Sequence, residues 1–113
     1  MIVVIEQHFK FKDTAETLKR NVEGVIEQVE NSSVEDFIEN VLDITRVATL
    51  VNGKWETQVY KFCIGYGGPG IWLTTDGTVE GYWASEKYVI KCDNQKFMEK
   101  LKEIEDYLDE IYG

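Results

Sequence analysis

Two dipeptides constrain this chain more than any other feature. Asn52-Gly53 stands between Ile44–Val51 and Trp55–Ile64, and Asp76-Gly77 between Ile71–Thr75 and Thr78–Trp83, four stretches rich in β-branched and aromatic residues. Asn-Gly and Asp-Gly supply the positive φ angles that two-residue hairpin turns require, so each marks a pair of strands folded back on itself. Strands joined so tightly pair antiparallel, because a parallel pair needs a crossover of a dozen or more residues. Glu86–Cys92, with Tyr88, Ile90 and Cys92 on one side, adds a further strand.

The flanks read differently. Residues 2–11 alternate Val3, Ile5, Phe9 and Phe11 with Glu6, His8 and Lys10, which predicts a strand. Asp13 or Thr14 then offers a helix cap, and Leu18, Val22, Val25 and Val29 recur at spacings of four, three and four along one helical stripe. Gly24, inside that stripe at a cost of about 1 kcal/mol against alanine, is expected to let the helix approach the sheet. Asn31-Ser32-Ser33 caps a second helix that buries Val34, Phe37, Ile38, Val41 and Leu42. Asp93 or Asn94 caps the last one, in which Phe97, Leu101, Ile104, Leu108 and Ile111 form the apolar stripe. The order β-α-α-β-β-β-β-β-α, with no linker or repeat, predicts a single α+β domain over residues 1–113. Its expected form is an antiparallel meander of five to six strands with helices packed on one face, a two-layer sandwich.

The stretch from Gly65 to Trp83 holds six glycines, the only proline and two of the three tryptophans. Residues 65–70, GYGGPG, match the letters of a dinucleotide-binding loop, but in that loop the glycines open a helix whose amides hold the pyrophosphate. Here Ile71–Thr75 follows, a strand. Gly67, Gly68, Pro69 and Gly70 therefore read as a structural turn, with Pro69 outside the sheet ladder because it lacks an amide donor. If Asp76-Gly77 is a two-residue turn, Trp72 faces Gly81, and the missing side chain leaves room for the indole. The alternative use of the Gly67–Gly70 turn and its neighbouring aromatics is a small-ligand or nucleotide site.

GGPGIWLTTDGTVEGYW, followed by a strand and a terminal helix with Tyr107 and Tyr112, resembles a group of short uncharacterised proteins of phages, plasmids and conjugative elements. Those show a GGP–aromatic strand, a turn and G-x-V-x-G-Y-W, often followed by a glycine where this chain has Ala84. The resemblance covers the last half of the chain. It implies a mobile-element or viral origin and no reaction.

Composition narrows the chemistry. The net charge of −9 repels nucleic acid and favours a basic partner. Nine acids lie between Asp13 and Asp43 against two bases, Lys19 and Arg20, and Glu99, Glu103, Asp106 and Glu110 repeat at four, three and four along the last helix. They read either as a solvated face or as a stripe that docks onto a basic surface. Tyr66, Trp72, Tyr82, Trp83 and Tyr88 form a second candidate surface; one of the tandem pair Tyr82-Trp83 must point away from the helices, marking a homodimer interface or a binding patch. His8 is the only histidine, Cys63 and Cys92 the only cysteines, and both cysteines sit in apolar strands, which predicts buried thiols. No nucleophile–base pair, metal motif or cofactor motif stands out, and no apolar run is long enough for a membrane span. The expectation is a cytoplasmic, non-enzymatic interaction domain, without cofactor, acting on a host protein with a basic surface, such as a defence or nucleic-acid-binding protein.

Overall fold

Helix α1 (Lys12–Asn31) opens the computed structural model, which describes residues 12–66, 69–83 and 85–112, with side chains from Glu16 onward. The strand expected over residues 2–11, and His8 within it, lie outside the described residues. Leu18, Val22, Val25 and Val29 of α1 are all buried, as their spacing requires. The helix begins at Lys12, so Asp13 and Thr14 stand within its first turn rather than at its cap. Gly24 is exposed with open space around it; it makes no close approach to the sheet.

Ser33 caps α2 (Val34–Asn40), its Oγ accepting a hydrogen bond from the Asp36 amide at 3.1 Å. This helix ends at Asn40, two residues short of Leu42, which is consequently 53 % exposed. Five strands follow: β1 (Asp43–Val51), β2 (Lys54–Gly65), β3 (Gly70–Thr74), β4 (Thr78–Trp83) and β5 (Glu86–Lys91). Each pairs antiparallel with its chain neighbour, in the spatial order β1-β2-β3-β4-β5. Helix α3 (Gln95–Tyr112) closes the fold, with Asn94 accepting at its start from the Lys96 amide through Oδ1 and from the Met98 amide through its carbonyl. The described residues thus form a two-layer α+β fold, helices on one face of a five-stranded antiparallel sheet.

The two hairpins differ. Asn52 and Gly53 both take positive φ, and Val51 pairs with Lys54, a two-residue turn of the kind the dipeptide specifies. At the second hairpin only Gly77 has positive φ, and its amide bonds to Thr74 O at 2.9 Å. Leu73 pairs with Val79, Ile71 with Gly81 and Trp72 with Glu80, so the loop has three residues, Thr75–Gly77. The expected Trp72–Gly81 pairing is therefore one residue out of register. The observed register places Leu73 and Val79 together on the helix face, whereas the expected one would have set Leu73 against Glu80.

Gly81 has a different duty. A Cβ there would collide with Val22 Cγ2 and lie 2.8 Å from Leu18 Cδ1, so the missing side chain is the space α1 occupies on the sheet. The aromatic-over-glycine contact falls instead to Gly70, where a Cβ would meet the Trp72 ring at 2.9 Å. The core gathers the α1 stripe, Phe37, Tyr60, Phe62, Leu73, Val79, Tyr88 and Ile90 with Phe97, Leu101, Ile104 and Leu108 of α3; Phe37 meets Phe62 edge-on, centroids 5.1 Å apart. Ile111, the expected end of the α3 stripe, is 54 % exposed.

β2 carries a bulge. Val47 pairs with Val59 but Ala48 with Thr57, leaving Gln58 as an extra residue. Thr57 thereby joins Tyr60 on the helix face, while Gln58 Nε2 donates to Thr49 Oγ1 at 2.9 Å. At about 3.4 Å per residue the twelve residues of β2 reach about 40 Å, against about 27 Å for the eighteen residues of α3. The β1–β2 hairpin outruns its helical cover.

Candidate functional site

Charge is segregated between the two layers. The three helices hold fourteen acidic and six basic residues, so they carry −8 of the net −9, whereas the five strands together carry +1. On α3 the heptad-like spacing turns Glu99, Glu103, Asp106 and Glu110 to solvent, and all four are exposed. Two lysines interrupt the stripe: Lys102 Nζ lies 2.9 Å from Asp106, and Lys100 Nζ 3.9 Å from Glu103 while also donating to Ser32 O. Bonding to Asp106 raises the Lys102 pKa.

The five aromatics of the second candidate do not form one surface. Trp72 and Tyr82 share the sheet's outer face, centroids 5.6 Å apart in edge geometry, with Lys87 Nζ 5.6 Å from the Tyr82 ring centre. The Tyr82 hydroxyl donates to Glu80 Oε2 at 3.0 Å. Strand alternation puts Trp83 on the other side, packed against the core, and Tyr88 belongs to the core itself. Tyr88 donates to Glu23 Oε1 at 3.1 Å, and burial first, then that bond, pushes its phenol up to about 12. Tyr66 stands apart, exposed at the end of β2. Trp72 and Trp83 thus lie on opposite faces of the sheet and cannot wall a common pocket.

Gly67 and Gly68 lie outside the described residues, while Pro69 is in a turn outside the ladder and Gly70 begins β3. The GYGGPG stretch lies between β2 and β3, and its last glycine, Gly70, opens a strand where a dinucleotide loop opens a helix. Cys63 and Cys92 are buried free thiols. Among the described residues no helix is long and apolar enough to cross a membrane, and no group of three His, Cys, Asp or Glu is placed to hold a metal ion.

The arrangement that sequence reasoning missed is where the hairpin leaves its helical cover. Arg46 Nε donates to Thr57 Oγ1 at 2.7 Å; Thr57 Oγ1 donates to Asp109 Oδ1 at 2.9 Å, and Tyr60 OH donates to the same oxygen at 2.7 Å. Burial, reinforced by Asp109, raises the Tyr60 pKa. Beside this relay opens a cleft of about 370 Å³ lined by Ile44, Arg46, Tyr60 and Tyr112. Farther out, Leu50 and its partner Trp55 stand 60 % and 65 % exposed. A signal was present: Leu50, Val51 and Trp55 flank the Asn52-Gly53 turn, and a tip that projects from a fold has nothing to bury its apolar residues against.

Comparison with known proteins returned no match: no family model fits the chain, and no curated protein or solved structure is significantly similar to it.

Proposed function

We propose that this chain is a non-enzymatic interaction domain that docks its acidic helix layer onto a basic protein surface. The observation behind the reading is the segregation of charge, −8 of −9 on the helices, with Glu99, Glu103, Asp106 and Glu110 all facing solvent. A one-sided field of this kind steers a basic partner toward one face and accelerates encounter in a salt-dependent way. The resemblance of residues 67–83 to proteins of phages and plasmids directs the reading to a host protein whose basic surface would otherwise bind nucleic acid, so that occupation of that surface inhibits it.

The test is affinity capture from host lysate with the parent and with the triple variant E103K/D106K/E110K. Exposed charges shift stability by no more than about 0.5 kcal/mol each, and none of the three touches the α3 stripe, so the variant folds. The parent retains a basic protein that elutes as salt rises, and the triple variant loses it. Equal retention by both at the same salt refutes the assignment.

A further inference from the structure

We propose that β1, an edge strand among the described residues, pairs with β1 of a second copy of this chain, antiparallel about a two-fold axis at Val47, so that the two sheets become continuous. This is independent of the partner proposed for the helix layer.

β1 is one of the sheet's two edges among the described residues and the longer of them, nine residues or about 30 Å against six residues in β5. Edge strands are normally guarded by charges, proline or a bulge, since their outward amides and carbonyls template further pairing. From Val47 to Val51 this strand carries none of these guards: the residues are Val, Ala, Thr, Leu, Val, and the bulge lies on β2. Its one cation, Arg46, is turned to Thr57 on the neighbouring strand.

What selects a second copy is self-complementarity. A two-fold axis at Val47 sets Ile44 opposite Leu50 of the other copy, Thr45 opposite Thr49 and Arg46 opposite Ala48. Residues 44, 46, 48 and 50 lie on the helix face of β1, and the axis keeps both helix layers on one side. Each copy has an exposed apolar projection at Leu50 and Trp55 and an apolar cleft beside Ile44, at opposite ends of one strand. The axis exchanges the two, so each Leu50 enters the other copy's cleft between Ile44 and Tyr112. Charge agrees: β1 and β2 carry Arg46, Lys54 and Lys61 against Asp43 and Glu56, a surface of +1 on a chain of −9. Two copies of so acidic a protein meet less repulsion along this hairpin than across their helix layers.

Sedimentation equilibrium of the full chain over a concentration series tests the pairing. The parent's mass rises from 13.1 kDa toward twice that value. V47K, which brings two ammonium groups together on the axis, stays at 13.1 kDa, as does V47E, and an equimolar mixture of the two recovers the dimer. Because Val47 is exposed in the single chain, both variants fold; should either fail, hydrogen exchange of the parent decides, with β1 amides gaining protection as concentration rises. A parent that stays at 13.1 kDa at its highest soluble concentration overturns the proposal. So does V47K dimerising as well as the parent, a mixture that does not recover the dimer, or β1 exchange that ignores concentration.

Discussion

Replacing Gly81 by alanine adds one methyl group at the point where α1 rests on the sheet. That methyl would overlap Val22 Cγ2 and come within 2.8 Å of Leu18 Cδ1, and both residues are fully buried, so neither has free volume to retreat into. Val22 is also β-branched, and its helical position leaves it one favoured rotamer. Relief therefore requires α1 to lift from β4, an overpacking cost of about 1–3 kcal/mol. In a domain of this size each kcal/mol lowers the melting temperature by about 4 °C, so thermal unfolding followed by circular dichroism should drop by about 4–12 °C. The second half of the test is V22A, which alone costs about 1.6 kcal/mol for two buried methyl-sized groups but removes the colliding atom. In the double variant the two losses should be less than additive, with a coupling of at least about 0.5 kcal/mol. A Gly81→Ala protein that melts with the parent, or strictly additive losses, would refute the account of how α1 meets the sheet.

Gly24→Ala, a chemically identical change, should have the opposite sign: the site is exposed and mid-helix with open space, so stability rises by about 1 kcal/mol in the same melting assay. Asp109→Ala leaves the buried Tyr60 hydroxyl and Thr57 without their shared acceptor and should cost about 1–3 kcal/mol by urea denaturation. Tyr88 titrates near 10 in the unfolded chain but about 12 in the fold, so the fold favours the protonated phenol. That contribution is complete below pH 10 and is lost as pH climbs toward 12; Tyr88→Phe should therefore flatten the alkaline fall in stability while losing about 1 kcal/mol at neutral pH. An unchanged alkaline slope would refute it.

Strands and helices were largely legible because the chain changes period cleanly, from the α1 stripe to the alternation of β1–β5 and back to the α3 stripe. The Asn52-Gly53 turn was legible in full, since both of its residues demand positive φ. The second turn was misread because Asp76-Gly77 meets that demand at Gly77 alone, and Thr75 is recruited into the loop. The apolar alternation held the correction: only an even register puts Leu73 beside Val79 on the buried face. The aromatic set was assembled by residue type, which says nothing of facing, and it divides between the outer face and the core. The cleft and hairpin tip depend on β2 being longer than α3, a comparison of element lengths that no local motif expresses.

The bulge at Gln58 gives this chain a place inside a strand where it can change length. A regular strand tolerates neither an added nor a lost residue, because one step turns every later side chain to the opposite face. The two hairpin loops are no more forgiving, with two residues at Asn52-Gly53 and three at Thr75–Gly77. Gln58 is already supernumerary: without it, Val59 and Thr57 become ordinary neighbours on alternate faces, still opposite Val47 and Ala48, and Thr57 still reaches Asp109. Loss of Gln58 would relax the local twist and keep both ends of the strand in frame. Lineages of this protein that differ by one residue in the hairpin should have gained or lost it inside a strand, the last place an alignment would put a gap.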